Sequence, residues 1–402
     1  MAHDVQDLLD RLSRFGGRTD GGVDRPAFSP IYEEAVRWLT AEMQARGLAV
    51  RRDQAGNVIG RLGPADAPAV VIGSHIDTVP SGGRFDGALG VMAGLAVAKR
   101  MAPRIAEAKR ALEVVAFADE EGTFGLTFGS RAMTGSLTAA ELAGARNRTG
   151  LKLTEALQAI GCDPARIGEA RRSGAEIAAY LELHIEQGPV LESAGLDIGA
   201  VEAIVGIDIV EIVLEGEANH SGTTPMEVRR DALKVAAEAM TACHAARRGA
   251  TTLNFGSLTV APGAINIVPA RVTLTQEIRS ADASEILALK QRCAEIFKEA
   301  SVRSGVTLTT RQVSIDPPAL MDPALASMVE RQADRLGLTH RRMPSGAGHD
   351  AQCLAELAPA VMIFVPSIGG ISHNPKELST PEQCAKGCDV LAAVAETLLF
   401  GA

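Results

Sequence analysis

The sequence predicts an α/β fold, a mostly parallel sheet with helices on both faces, into which a separate α+β domain is inserted. Three observations predict it. Two nearly continuous apolar runs, "AVVIG" (69–73) and "ALEVVAFA" (111–118), flank a helical pattern, "LGVMAGLAVAKRM" (89–101). Strands covered on both faces read this way, and a strand–helix–strand unit implies parallel pairing. Near residue 200 the texture changes to strands that alternate apolar and polar residues. Finally, 402 residues are many for one hydrophobic core.

Taken in order, "MAHDVQDLLDRLSRFGG" reads as an amphipathic helix with Val5, Leu8, Leu9 and Leu12 on one face, not as a secretory leader. "FSPIYEEAVRWLTAEMQARG" is a helix with Ser29 as N-cap, Pro30 in the first turn and Gly47 as its stop. "LAVRRDQAGNVIGRL" is a hairpin around Gly56-Asn57. From "IDIVEIVLEGEAN" (207–219) to "VTLTTRQVSI" (306–315) the order is strand, helix, strand, strand, helix, strand, a ferredoxin-like α+β arrangement. "DPPALMDP" (316–323) punctuates its end, and "VMIFVPS" (361–367) supplies a last buried strand with short helices around it. The predicted boundaries are 207–317 for the insert and 1–206 with 318–402 for the domain that receives it.

Composition narrows the function classes. The chain is 46% hydrophobic and 22% charged, as ordinary globular domains are. A formal net charge of −9, 3% aromatic residues and no basic stripe argue against nucleic acid and anionic membranes as partners. No apolar stretch approaches the roughly 20 residues that span a bilayer. Six cysteines without a C-x-x-C pair read as reduced thiols, and a cytoplasmic location is expected.

Chemistry gathers beyond the C-terminal ends of strands in such sheets. His75 and Asp77 follow "AVVIG", and Glu120 and Glu121 follow "VVAFAD". His184 and Glu186 follow "AYLEL", His373 follows "VMIFVP", and Asp86 sits in a glycine-rich turn. One histidine at a strand end is more often structural than a ligand; three, with carboxylates, at one sheet edge suit one or two divalent cations. Imidazole with carboxylate favours Zn²⁺ or Mn²⁺ over Ca²⁺, and Co²⁺ or Ni²⁺ fit the same donors. Asp86 is free to bridge two ions, and Asp77 is placed to hold the far ring nitrogen of His75. Of Glu120 and Glu121, alternation turns one to a metal and leaves the other as general base.

The stretches "GSHIDTVPSGGRFDGALGV", "ADEEGTFG", "LELHIEQGPVLE", "HSGTTPM", "SGAGHDA" and "SHNPKE", in this order from about Phe28 to the C-terminus, resemble the amidase (hydantoinase/carbamoylase) branch of the M20 metallopeptidase family. That branch holds N-carbamoyl-L-amino-acid hydrolases, beta-ureidopropionases and allantoate amidohydrolases. The resemblance implies a metallohydrolase catalytic domain with two metals bridged by Asp86. One metal would be completed by His75 and His184, the other by Glu121 and His373, with Glu120 as the base. It implies that Arg279 and Asn266 hold a substrate carboxylate, that His220 donates to the developing oxyanion, and that Gln187 and His349 are further substrate-binding residues. It further implies a homodimer formed through the insert, which would also act as a lid, and His220 reaching its own or a neighbouring subunit's site. The expected substrate is a small ureido or amide acid, an N-carbamoyl-L-amino acid first and allantoate second. A histidine at 184 disfavours a dipeptidase or N-acyl amino acid hydrolase. Two departures are visible: "EEGTFG" lacks the arginine usual after the glutamates, and Glu277 stands where an aspartate is common.

Overall fold

The structure is a computed structural model that describes residues 2–401. Its strands are β1 (Ala49–Arg52), β2 (Val58–Leu62), β3 (Ala69–His75), β4 (Ala111–Phe117), β5 (Ile177–Ile185), β6 (Ile198–Ile204) and β7 (Gly206–Glu215). They continue with β8 (Thr252–Ala261), β9 (Arg271–Ser280), β10 (Thr307–Asp316), β11 (Ala319–Leu320), β12 (His340–Ser345) and β13 (Ala360–Val365). The chain divides into two compact units, Met1–Ala203 with Leu320–Ala402, and Ile204–Ala319.

The first unit is built on a sheet of order β1-β2-β4-β3-β5-β13-β6-β11, with β12 paired to β6. Its centre is parallel: β3 pairs with β4 and β5, and β13 with β5. The flanks, β1-β2 and β2-β4 on one side and β6-β13 on the other, are antiparallel. Every residue of β3, β4 and β13 is buried, as their apolar runs require. Each large apolar side chain so buried contributes about 1.5–3 kcal/mol of transfer free energy. The one charge inside β4, Glu113, is tolerated because Arg61 (2.7 Å) and Arg172 both pair with it.

The helix Ala88–Met101 packs on β3, β4 and β5, and the helices Ala2–Leu12 and Pro381–Phe400 pack beside it. Val5, Leu8, Leu9 and Leu12 are all buried. In the helix Pro30–Ala45, the Ser29 hydroxyl accepts from Tyr32 N at 3.3 Å. Short helices, Asp350–Leu354 and Ile368–Gly370, flank β13 as expected, but beyond them one long helix runs for 20 residues, Pro381–Phe400. Its N-terminus is marked by Thr380 and Gln383 in a capping box, but "CDVLAAVAETLLF" is apolar almost all round and shows little amphipathic contrast. Because β3, β4, β5 and β13 are parallel, His75, Phe117, Ile185 and Val365 end at the same edge of the sheet.

The second unit is a four-stranded antiparallel sheet of order β10-β7-β9-β8. The helices Ala232–Ala246 and Ala283–Ser304 pack on it and on each other. Strand β7 alternates buried and half-buried residues, with Val210, Ile212 and Leu214 facing Val235, Ala239 and Phe297 in the unit's own core.

Candidate metal centre

At the shared edge of the first unit's sheet, two histidines meet one carboxylate. His75 ends β3, and its Nδ1 lies 3.1 Å from the Asp77 carbonyl oxygen. His184, in β5, has Nδ1 at 2.8 Å from the Ile185 carbonyl oxygen. Carbonyls only accept, so each ring carries its hydrogen on Nδ1 when neutral and presents the Nε2 lone pair inward. Both Nε2 atoms face Asp86 Oδ1, at 3.7 Å from His75 and 3.2 Å from His184. The close approach depends on Gly87: at φ +63° any Cβ there would lie 2.3 Å from His75 Nε2.

The other oxygen of Asp86 faces a different group. His373 Nε2 lies 3.2 Å from Asp86 Oδ2 and 3.5 Å from Glu121 Oε2. Two sets of potential ligand atoms thus form around Asp86, His75–Asp86–His184 and Asp86–Glu121–His373, each with its atoms within 4.8 Å of one another. Asp86 belongs to both. His373 is held at φ +54° and is half exposed, whereas His75 and His184 are buried.

Glu120 and Glu121 sit in the turn after β4. Glu120 Oε2 is 3.5 Å from His75 Nε2 while Glu121 reaches His373, so the two do diverge to different histidines. Asp77 acts otherwise than its spacing suggests. The far nitrogen of His75 takes the Asp77 backbone carbonyl, and the Asp77 carboxylate, 3.7 Å from that nitrogen, instead accepts from Glu120 N (3.4 Å) and Glu121 N (3.1 Å). Those amides, one buried and one partly so, need an acceptor, and the carboxylate supplies it. Burial raises Asp77 to about 6, with Arg25 as the opposing charge. The buried Arg25 guanidinium, donating to Leu12 O and Phe15 O, is itself lowered to about 10 by burial.

The electrostatics are those of a site with too many acids for its own cations. Burial, then Asp350 and Glu121, pushes Glu120 well above the usual carboxylate range. Burial, then Asp86 and Asp77, does the same to Glu121, and burial with Asp77 lifts Asp119 to about 7. His75 is lowered to about 4 by burial despite Asp86. Burial also opposes charge on His184, but hydrogen bonding to Asp86 and the charges of Asp86 and Glu182 outweigh it and raise it to about 9. Divalent cations relieve such crowding, and imidazole Nε2 with carboxylate oxygens is the donor chemistry they take.

Gln187, at φ +58°, donates from Nε2 to Asp86 Oδ2 (2.8 Å) and Ser372 Oγ (3.2 Å). Its amide oxygen is buried with no hydrogen-bond partner. His349 is buried behind His184, ring centroids 4.5 Å apart, with Nε2 2.9 Å from Ser345 Oγ. Glu377 accepts from Phe85 N (2.9 Å), Asp86 N (3.0 Å) and Ser372 Oγ (2.9 Å), so it pins the backbone of Asp86 to the segment bearing His373. Sequence reasoning did not single out Glu377, although "SHNPKE" contains it; its place four residues after a candidate ligand was the available signal.

The remaining predicted residues lie in the second unit. His220 Nδ1 accepts from Gly222 N (3.1 Å) and Thr223 N (3.2 Å), which puts the ring hydrogen on Nε2 as a donor. Its segment runs beside Asn266: His220 bridges to Ile267, and Ser221 N donates to Asn266 O at 3.0 Å. Arg279, on β9, donates from Nε to Glu277 Oε1 (2.9 Å) and from Nη2 to Glu277 Oε2 (3.2 Å).

The profile of Peptidase family M20/M25/M40 matches residues 71–397, most of the chain. The chain belongs to the M20 peptidase family. This M20 chain is 41% identical over 395 residues to the N-carbamoyl-L-amino acid amidohydrolase of Geobacillus stearothermophilus, covering 95% of each. It is 34% identical over 405 residues to the allantoate amidohydrolase of Bacillus subtilis (strain 168), covering 98% of this chain and 97% of that one. Among solved structures, an amidase of the hydantoinase/carbamoylase family from Burkholderia multivorans superposes with a TM-score of 0.92 at 32% identity, covering 100% of this chain and 98% of that one. The family is the one the six sequence stretches resemble. As an M20 chain it carries "EEGTFG" in a tight loop, where Asp119 Oδ2 accepts from Phe124 N and Gly125 N, at 3.0 and 3.1 Å, and Thr123 Oγ1 accepts from Ala27 N.

Proposed function

We propose that this protein is a binuclear metal-dependent amidohydrolase that cleaves the ureido C–N bond of N-carbamoyl-L-amino acids. The observation that carries the reading is Asp86, with one oxygen facing His75 and His184 and the other facing His373. His75, Asp86 and His184 would hold one ion, and Asp86, Glu121 and His373 the other; zinc or manganese suits these donors, with cobalt or nickel as substitutes. When bound, the two ions supply Lewis-acid polarisation of the ureido carbonyl and a more acidic water.

The chain's own residues do the rest. Glu120, buried next to His75, takes a proton from the attacking water and returns it to the leaving nitrogen. The bond from the ureido carbon to the amino-acid nitrogen breaks, giving the free amino acid and carbamate, which decomposes to CO₂ and ammonia. The unpartnered Gln187 oxygen accepts from a ureido N–H, which an N-acyl group lacks at that position. His220, a donor through Nε2, serves the oxyanion, in its own or the neighbouring subunit, and Asn266 with Arg279 takes the substrate carboxylate. Since Glu277 already occupies Nε and Nη2 of Arg279, a substrate carboxylate would share the guanidinium with it. His349 supports the site through the His184 ring.

We read the second unit as a lid and as the contact of a homodimer. The exposed Leu258 on β8 and Val313 and Ile315 on β10 support the dimer reading. Six free cysteines support a reducing, cytoplasmic setting. Among the described residues no helix is long and apolar enough to cross a membrane. The allantoate reading follows from the Bacillus relative and is the second choice, at 34% identity against 41%. A panel of N-carbamoyl-L-amino acids, allantoate, N-acetyl amino acids and dipeptides, assayed for ammonia and amine with metal-stripped and reloaded protein, decides among them. Ammonia with amine from carbamoyl substrates, only with metal, supports the reading; amine alone from acyl or peptide substrates overturns it.

A further inference from the structure

Glu182 has no part in the chemistry above, yet it is fully buried and shares a face of β5 with His184, two residues on. Its carboxylate collects donors from separate segments. Ser74 Oγ reaches Oε1 at 2.9 Å; Tyr180 OH and Ala351 N reach Oε2 at 2.9 and 3.0 Å. Ser74 immediately precedes His75 on β3. Ala351 lies two residues after His349, whose ring meets that of His184 edge to face. One carboxylate therefore ties together the segments that carry His75, His184 and His349, through bonds to Ser74, Tyr180 and Ala351. Glu121 and His373 are not among its partners. Glu182 lies within ligand reach of His184 and His349, but with three donors on two oxygens it is engaged as a holder.

We propose that Glu182 is a positioning residue that sets metal affinity at the His75–His184 position and leaves the Glu121–His373 position alone. This rests on the two-ion reading above. An amide at 182 brings N–H donors where Ser74, Tyr180 and Ala351 already donate, so at least one of the three contacts must break or reverse.

The test is Co²⁺ titration of metal-stripped full-length protein, followed by visible absorption, in two backgrounds. His373→Ala retains the first position and His75→Ala retains the second. In the His373→Ala background, Glu182→Gln weakens Co²⁺ binding about 10–100-fold and changes the absorption band of the bound ion. In the His75→Ala background it changes affinity by less than about twofold, as expected of groups without shared partners. Ser74→Ala, which keeps the core packed, shifts affinity in the same direction and stands in if Glu182→Gln does not fold. Equal weakening in both backgrounds, or no change in either, overturns the proposal. A parent protein that binds a single Co²⁺ counts against the two-ion reading itself, and the selective role of Glu182 falls with it.

Discussion

The Gln187 side chain donates through Nε2 to Asp86 Oδ2 at 2.8 Å, and that bond fixes which way its amide faces: the oxygen is buried and without a donor. A group held this way awaits a hydrogen from something that enters the site. Gln187→Met keeps the volume and removes both roles. The expected result is a fall in kcat/KM for carbamoyl substrates of about 10–100-fold, the equivalent of one hydrogen bond to a charged or developing-charge group. The residual rate on an N-acetyl amino acid should fall less, because it offers no terminal N–H. Equal losses on both substrates would place Gln187 solely as a support for Asp86.

Glu120 Oε2 lies 3.5 Å from His75 Nε2, and Glu120 is counted in neither ligand set. Glu120→Gln should keep both metals and lose about 10²–10⁴-fold in kcat, the usual contribution of a positioned base. Metal content by elemental analysis, measured on the same sample as kcat, separates a lost base from a lost ligand.

Gly87→Ala puts a methyl group against the His75 ring at a backbone φ of +63°. Strain at such a site costs on the order of 1–3 kcal/mol, and the ring must move or the turn must open. Reduced metal content together with a lower melting temperature is the expected outcome, read by elemental analysis and thermal denaturation.

Metal binding should release protons near neutral pH. Without metal, His184 is raised to about 9, so its ring is protonated at pH 7.5 and must lose that proton to ligate. Calorimetric titrations in buffers of different ionisation enthalpy should show net proton release that diminishes toward pH 9. The same shift has a stability consequence for the metal-stripped protein. A histidine raised above its unfolded value of about 6.5 contributes stability that is fully present below that value and is lost as pH rises through about 9. Between pH 7 and 9 the stripped protein should therefore lose melting temperature faster than the loaded one, whose His184 is held neutral by the ion.

The sequence made much of this legible. The apolar runs of β3 and β4 and the switch to alternation at β7 announced both kinds of sheet, because covered and half-exposed strands bury different sets of positions. His75, Asp86, Glu121, His184 and His373 were recognisable as polar residues beside strands that have no structural use for them. What stayed hidden depends on distances along the chain that no local pattern encodes. Asp77 could be placed near His75, but its service to the backbone of Glu120 and Glu121 appears only when β3 and β4 lie side by side. Glu377 and Glu182 reach partners as far as 292 and 169 residues away. The long C-terminal helix was obscured for a different reason, since a helix buried on most sides shows no amphipathic period.

The most direct test is to titrate metal-stripped protein with Co²⁺ while measuring ammonia release from an N-carbamoyl-L-amino acid. The expected result is no ammonia from the stripped protein and activity that saturates only when two equivalents per chain are bound. Ammonia release without metal, or full activity at one equivalent, would contradict a centre in which Asp86 joins two ions.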